Sequence, residues 1–156
     1  MTVKYLSRAL FVTNIFYCLC LNEQDFQAEL KDLGVPERKW PDFLPSGAEG
    51  CVHFLVSAQD QEVNLVCLNA KPDKSKIEIY CILVHEAVHL WQNMKRAVNE
   101  NRPSDEFEAY AIQSIAERLM NSYRKQTKEM QKLIKDGDPI KGDTNGNDES
   151  WSDQTG

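Results

Sequence analysis

The chain has 156 residues, with 18 Lys and Arg against 24 Asp and Glu, a formal charge of −6 at pH 7. That length suits one domain with a real core. The acidic balance, with no basic stripe anywhere, argues against a nucleic-acid backbone as partner. The five cysteines (Cys18, Cys20, Cys51, Cys67 and Cys81) are an odd set without scaffold spacing. Four of them stand in apolar surroundings, where a free thiol behaves as a small hydrophobe. Reduced thiols in a reducing, cytoplasmic compartment are therefore expected. Cys18-Leu19-Cys20 is half of a metal-site spacing, but no second close pair follows, and core thiols are the preferred reading.

Lys4 and Arg8 precede a mostly apolar run, Ala9 to Leu21, that has the outline of a signal peptide. Thr13 and Asn14 interrupt it and no small-x-small site follows, so a buried strand is preferred. The run is also too short to span a membrane. Phe16, Cys18 and Cys20 alternate with Ile15, Tyr17, Leu19 and Leu21, which predicts a strand covered on both faces. Asn22 is placed to cap a helix through Phe26, Leu30 and Leu33, stopped by Gly34. Pro36, Pro41, Pro45, Gly47 and Gly50 make 35–50 an irregular loop, with Trp40 and Phe43 as its anchors to the core.

Residues 51–57 and 62–69 read as two strands joined by a polar turn at 58–61, a hairpin. His53 alternates there with Cys51 and Leu55 and reads as a half-buried structural residue rather than a ligand. A helix is expected from about Ser75 to Val98. Asn99 to Pro103 breaks it, and Ser104 caps the next, which runs through Phe107, Ala111, Ile115, Leu119 and Tyr123 toward Leu133. From residue 135 the chain is polar and rich in Gly, Asp and Asn, so 1–134 is expected to be the folded domain and 135–156 a flexible tail.

The first long helix carries Val84-His85-Glu86-Ala87-Val88-His89-Leu90-Trp91-Gln92. In His-Glu-x-x-His the two histidines lie about 40° apart around a helix axis, one turn apart on one face. Two imidazoles so placed can bind one zinc ion. Glu86, about 100° from His85, is near enough to take a proton from a water beside the metal. The apolar Val84, Ala87, Val88 and Trp91 imply that one side of the helix is buried.

A catalytic zinc site needs a third protein ligand. The best carboxylates follow the break, in Ser104-Asp105-Glu106-Phe107-Glu108-Ala109-Tyr110-Ala111. Glu106 and Glu108 point about 200° apart around the helix, so only one of them can face the metal. Asp105 is a poorer third candidate.

Here the sequence resembles the gluzincin superfamily of zinc metallopeptidases, in which a glutamate on a second helix completes the site. Glu106-Phe107-x-Ala109 is similar to the Glu-Phe-x-Ala-Asp segment of its prenyl-protein-processing members. The resemblance implies His85, His89 and Glu106 as zinc ligands and Glu86 as general base. Where those relatives have an aspartate, four residues after the ligand glutamate, this chain has Tyr110. The pattern also resembles minimal soluble gluzincins encoded in phages and prophages.

The fold so implied is α+β: a small zincin-like domain with a short, mostly antiparallel sheet packed on the His-Glu-x-x-His helix and a second long helix. The function implied is zinc-dependent hydrolysis of peptide bonds, with a peptide or protein substrate and no nucleic-acid or membrane partner. Tyr110, Tyr123 and His53 are open alternatives for steadying the oxyanion, and the hairpin would offer an edge strand to an extended peptide. The competing reading is a catalytically silent, zinc-binding interaction or phage morphogenesis protein on the same fold. The intact Glu86 favours the enzyme, since a structural site needs no base there.

Overall fold

The computed structural model describes Tyr5 and residues 15–71 and 73–136, with side chains described to residue 132. The expected start of the first strand at 9–14 and the tail from 137 lie outside the described residues. The strand β1, Phe16–Cys20, has both faces covered, as its alternation requires. Tyr17 and Leu19 face one apolar cluster, Cys18 and Cys20 another. Asn22 then accepts a hydrogen bond from the Asp25 amide at 2.8 Å and starts α1, Glu23–Asp32. Gly34, at φ +71°, ends it in the left-handed conformation that glycine adopts freely.

The loop that follows holds a single short 3-10 turn, Glu37–Lys39. Trp40 and Phe43 anchor it, packing against Phe26 and the thiol face of the sheet. The hairpin is β2, Gly50–Val56, and β3, Glu62–Leu68, paired antiparallel. Ser57 closes its turn by accepting from the Gln59 and Gln61 amides.

The sheet order is β1-β3-β2, and β1 pairs with β3 in parallel. The sheet is therefore mixed, not mostly antiparallel as the sequence suggested. The reason is the length of chain between β1 and β2. Helix α1 and the loop after it return the chain to the end where β1 finished but leave room for one strand, so β2 runs antiparallel to β1 and the hairpin brings β3 between them, parallel to β1.

A capping box between Ser75 and Glu78 starts α2, Lys76–Ala97. It ends where Asn99 turns to φ 56° and the Glu100 amide reaches back to the Lys95 carbonyl. Ser104 caps α3, Asp105–Asp136, through the Phe107 amide. The helices pack on one face of the sheet, around Ile79, Leu83, Ala87, Leu90, Trp91 and Met94 of α2 and Ala111, Ile115 and Leu119 of α3. Gln126 ties α3 to β1, donating to the Leu19 carbonyl at 3.0 Å. The apolar stripe of α2 is centred on Leu83 and Leu90 rather than on Val84 and Val88. Val84 remains 40% exposed. The result is an α+β domain, and no helix among the described residues is long and apolar enough to cross a membrane.

Two changes on α2 test which face is buried. Leu83→Ala, at a fully buried position, is expected to cost about 2–5 kcal/mol in urea unfolding. Ile77→Ala, at a position 75% exposed on the same helix, should stay within about 0.5 kcal/mol. Equal effects would mean that the helix is rotated from this placement.

Candidate functional site

The rotation of α2 decides what its motif can do. With Leu83, Ala87 and Leu90 in the core, His85 and His89 fall on the exposed side and Glu86 on the border between them and the core. The two Nε2 atoms face each other at 3.1 Å, with the ring planes 80° apart. Glu86 is only 3% exposed, and its Oε2 is buried with no hydrogen-bond partner. Burial pushes its carboxyl pKa up from the ordinary value, and the His85 and His89 charges pull against that. A carboxyl shifted this way and placed beside two imidazoles is the kind of group that enzymes use as a base.

The sheet comes close to the motif at one residue. A Cβ on Gly50 would lie 2.6 Å from Ile82 Cγ2 and 3.0 Å from Glu86 Oε1. The edge strand β2 thus starts directly against the Glu86 carboxyl, and only a residue without a side chain allows that approach.

The downstream carboxylates are placed differently from one another. Glu108 accepts from Lys95 Nζ at 2.9 Å and from Trp91 Nε1. Lys95 first, then Trp91, holds its carboxyl below the usual range. It is committed to the joint between α2 and α3. Glu106 and Asp105 are exposed in the first turn of α3. Among the described residues, neither Glu106 nor Glu108 forms a group with both histidines whose ligand atoms all lie within 4.8 Å of one another. The structure thus brings His85 and His89 together, with Glu86 feeling the charge of both.

Of the three oxyanion candidates, His53 lies on the opposite face of β2 from α2, against Phe26. Tyr110 is 55% exposed on α3. Tyr123 packs edge-on against Tyr80, 6.4 Å between centroids. A groove of about 590 Å³ between α2 and α3, lined in part by Tyr80, Val84, Ile112 and Met120, does not include the histidine pair.

The one group of metal-ligating side chains that does converge, among the described residues, is Cys51, His53 and Cys67, with ligand atoms all within 4.8 Å. The sequence reading gave each of these a separate structural role. The signal was present in the hairpin, whose turn fixes a register that sets Cys51 opposite Cys67. All five cysteines are free, with Cys18, Cys20 and Cys67 buried and Cys81 exposed.

No family model matches the chain, and no curated protein or solved structure matches it either.

Two measurements probe this site without a substrate. Gly50→Ala should lower stability by about 1–3 kcal/mol, the usual range for overpacking, in urea unfolding; an unchanged protein would rule out the close approach of β2 to Glu86. Glu86→Gln removes a carboxylate that burial disfavours, so the metal-free protein should melt at a higher temperature in chelator than wild type. A lower melting temperature would mean that the carboxylate contributes to the fold.

Proposed function

We propose that the chain is a zinc-dependent metallopeptidase on a zincin-like fold, cleaving peptide bonds in extended substrates. The observation that carries this reading is Glu86: a buried carboxyl with an unpartnered oxygen, bordering two exposed imidazoles whose Nε2 atoms are 3.1 Å apart. Zn–N bonds of about 2.0–2.1 Å in tetrahedral geometry separate two ligand nitrogens by roughly 3.3 Å, so the pair fits one ion. His85 and His89 would hold it, with Glu106 as the third ligand that the gluzincin resemblance assigns. For a three-ligand site, the first turn of α3 must bring Glu106 onto the pair. When bound, zinc supplies Lewis acidity and makes water a stronger acid at neutral pH.

The chain's own groups account for the rest. Glu86 takes the proton of the attacking water at its unpartnered oxygen and passes it to the leaving amine. Its raised pKa suits both halves of that transfer, because a carboxyl closer to neutrality both accepts and returns a proton readily. The free side of β2, which pairs with β3 alone among the described residues, suits the backbone of an extended peptide. Gly50 brings that edge against Glu86, so recognition by main-chain hydrogen bonds would leave the scissile carbonyl near the base.

The test compares wild type, His85→Ala and Glu86→Gln for zinc by atomic emission and for cleavage of an unfolded casein-like substrate. Glu86→Gln should keep zinc near one per chain at the histidine pair yet lose hydrolysis by about 10²-fold or more, the scale of general-base catalysis. His85→Ala should lose that zinc together with activity. Wild type that binds zinc but cleaves nothing across a broad peptide library would overturn the peptidase reading. A fully active Glu86→Gln would remove Glu86 from the mechanism.

A further inference from the structure

We propose that Cys51, His53 and Cys67 form a second metal site, on the far face of the sheet from His85 and His89, which takes one soft, thiophilic ion, zinc(II) or copper(I).

The site follows from the hairpin. Antiparallel pairing sets Cys51 directly opposite Cys67, and the two-residue period of a strand puts His53 on the same face as Cys51. The three donor atoms lie within 4.8 Å of one another, and Cys51 Sγ is 3.3 Å from His53 Nε2. A shared ion with M–S near 2.3 Å and M–N near 2.0–2.1 Å requires donor atoms roughly 3.3–4 Å apart. Small side-chain rotations therefore suffice, with no backbone movement. Two thiolates and one imidazole select soft or borderline ions over magnesium or calcium, which prefer oxygen.

The surroundings hold these donors in place. The ring of Phe26 lies 4.9 Å from that of His53, tilted by 36°. The Phe43 carbonyl is 3.2 Å from His53 Nε2 and accepts from Cys51 Sγ at 3.5 Å. Cys67 is fully buried while Cys51 and His53 are half-exposed, so the pocket has a closed floor and an open mouth. Cys20 on β1 pairs with Cys67 from the other side, placing a third thiol behind the site.

On binding, Cys51 and Cys67 each release a proton to solvent and no electron moves. The ion would fasten β2 to β3 beneath the loop that carries Phe43.

The experiment titrates the reduced, metal-free full chain with Cd²⁺ alone and follows the ultraviolet thiolate-to-metal charge-transfer band, which histidine and carboxylate ligands do not give. The band should saturate at one equivalent, persist in His85→Ala and Cys18→Ser, and vanish in Cys51→Ser. His53→Gln should weaken binding by at least the ~10-fold that losing even an outer partner of a ligand costs. Cys51 and His53 are half-exposed, so these variants should fold, and circular dichroism checks that they do. Displacement of Cd²⁺ by Zn²⁺ identifies a zinc site; displacement by copper(I) alone identifies a copper site. The persistence of the band in His85→Ala separates this site from the proposed catalytic one, so either can fail alone. No band in wild type with five titratable thiols would overturn the proposal. So would a band unaffected by Cys51→Ser, or a native Cys51–Cys67 disulfide that leaves three titratable thiols.

Discussion

From Val63 to Leu68, strand β3 has water on neither face, and the rest of the domain is arranged to keep it dry. Val66 and Leu68 point toward α2 and α3; Val63, Leu65 and Cys67 point toward α1 and the loop after it. A central strand buried on both sides needs a cover on each, and its neighbours β1 and β2 satisfy its main chain. The two covers differ in kind. One is a pair of long helices whose stripes of Leu, Ile, Ala and Met fill the space. The other is a short helix with a proline-rich loop, whose Phe26, Leu30, Trp40 and Phe43 pack on the face where the sheet presents Cys18, Cys20, Cys51 and Cys67.

The same constraint orients the motif helix. Because α2 must turn Leu83, Ala87 and Leu90 into the core between sheet and α3, its histidines face outward and Glu86 is left at the border. An exposed carboxylate would cost nothing there. Burying one without a partner oxygen or nitrogen costs free energy, and such strain on stability is commonest at sites that do chemistry.

Much of this was legible in the sequence. The two-faced alternation of β1, the Asn22 cap, the hairpin, the Ser75 and Ser104 helix starts and the break at Asn99 all rest on local rules, and the structure follows each. Three features were not legible because they depend on contacts between distant segments. The parallel pairing of β1 with β3 depends on where α1 and its loop return the chain. The buried stripe of α2 is set by how the sheet and α3 meet the helix, and a helix with apolar residues at 83, 84, 87, 88, 90 and 91 offers two overlapping faces. The placement of Glu106 and Glu108 depends on how α3 packs: Lys95 and Trp91 draw Glu108 into the helix joint, which spacing along the chain cannot reveal. The thiol–imidazole group lay between these cases. Its Cys51–Cys67 pairing is local to the hairpin, but its separation from α2 needs the sheet.

Adjacent residues on β2 connect the two faces. Gly50 faces α2 and approaches Glu86, while Cys51, one residue on, faces the thiol cluster; the alternation of a strand makes both true at once. Whatever fixes Cys51 also fixes the start of β2 and with it the distance between the edge strand and the carboxyl. The Phe43 carbonyl contacts both Cys51 and His53, so the position of the loop preceding β2 depends on the same side chains. A glycine at 50 leaves no side chain to absorb a displacement, and a shift of the strand reaches Glu86 directly. The geometry of the motif is therefore set on one side by the packing of α2 and on the other by how firmly β2 is held to β3, and the second depends on the cysteine and histidine side chains of the opposite face.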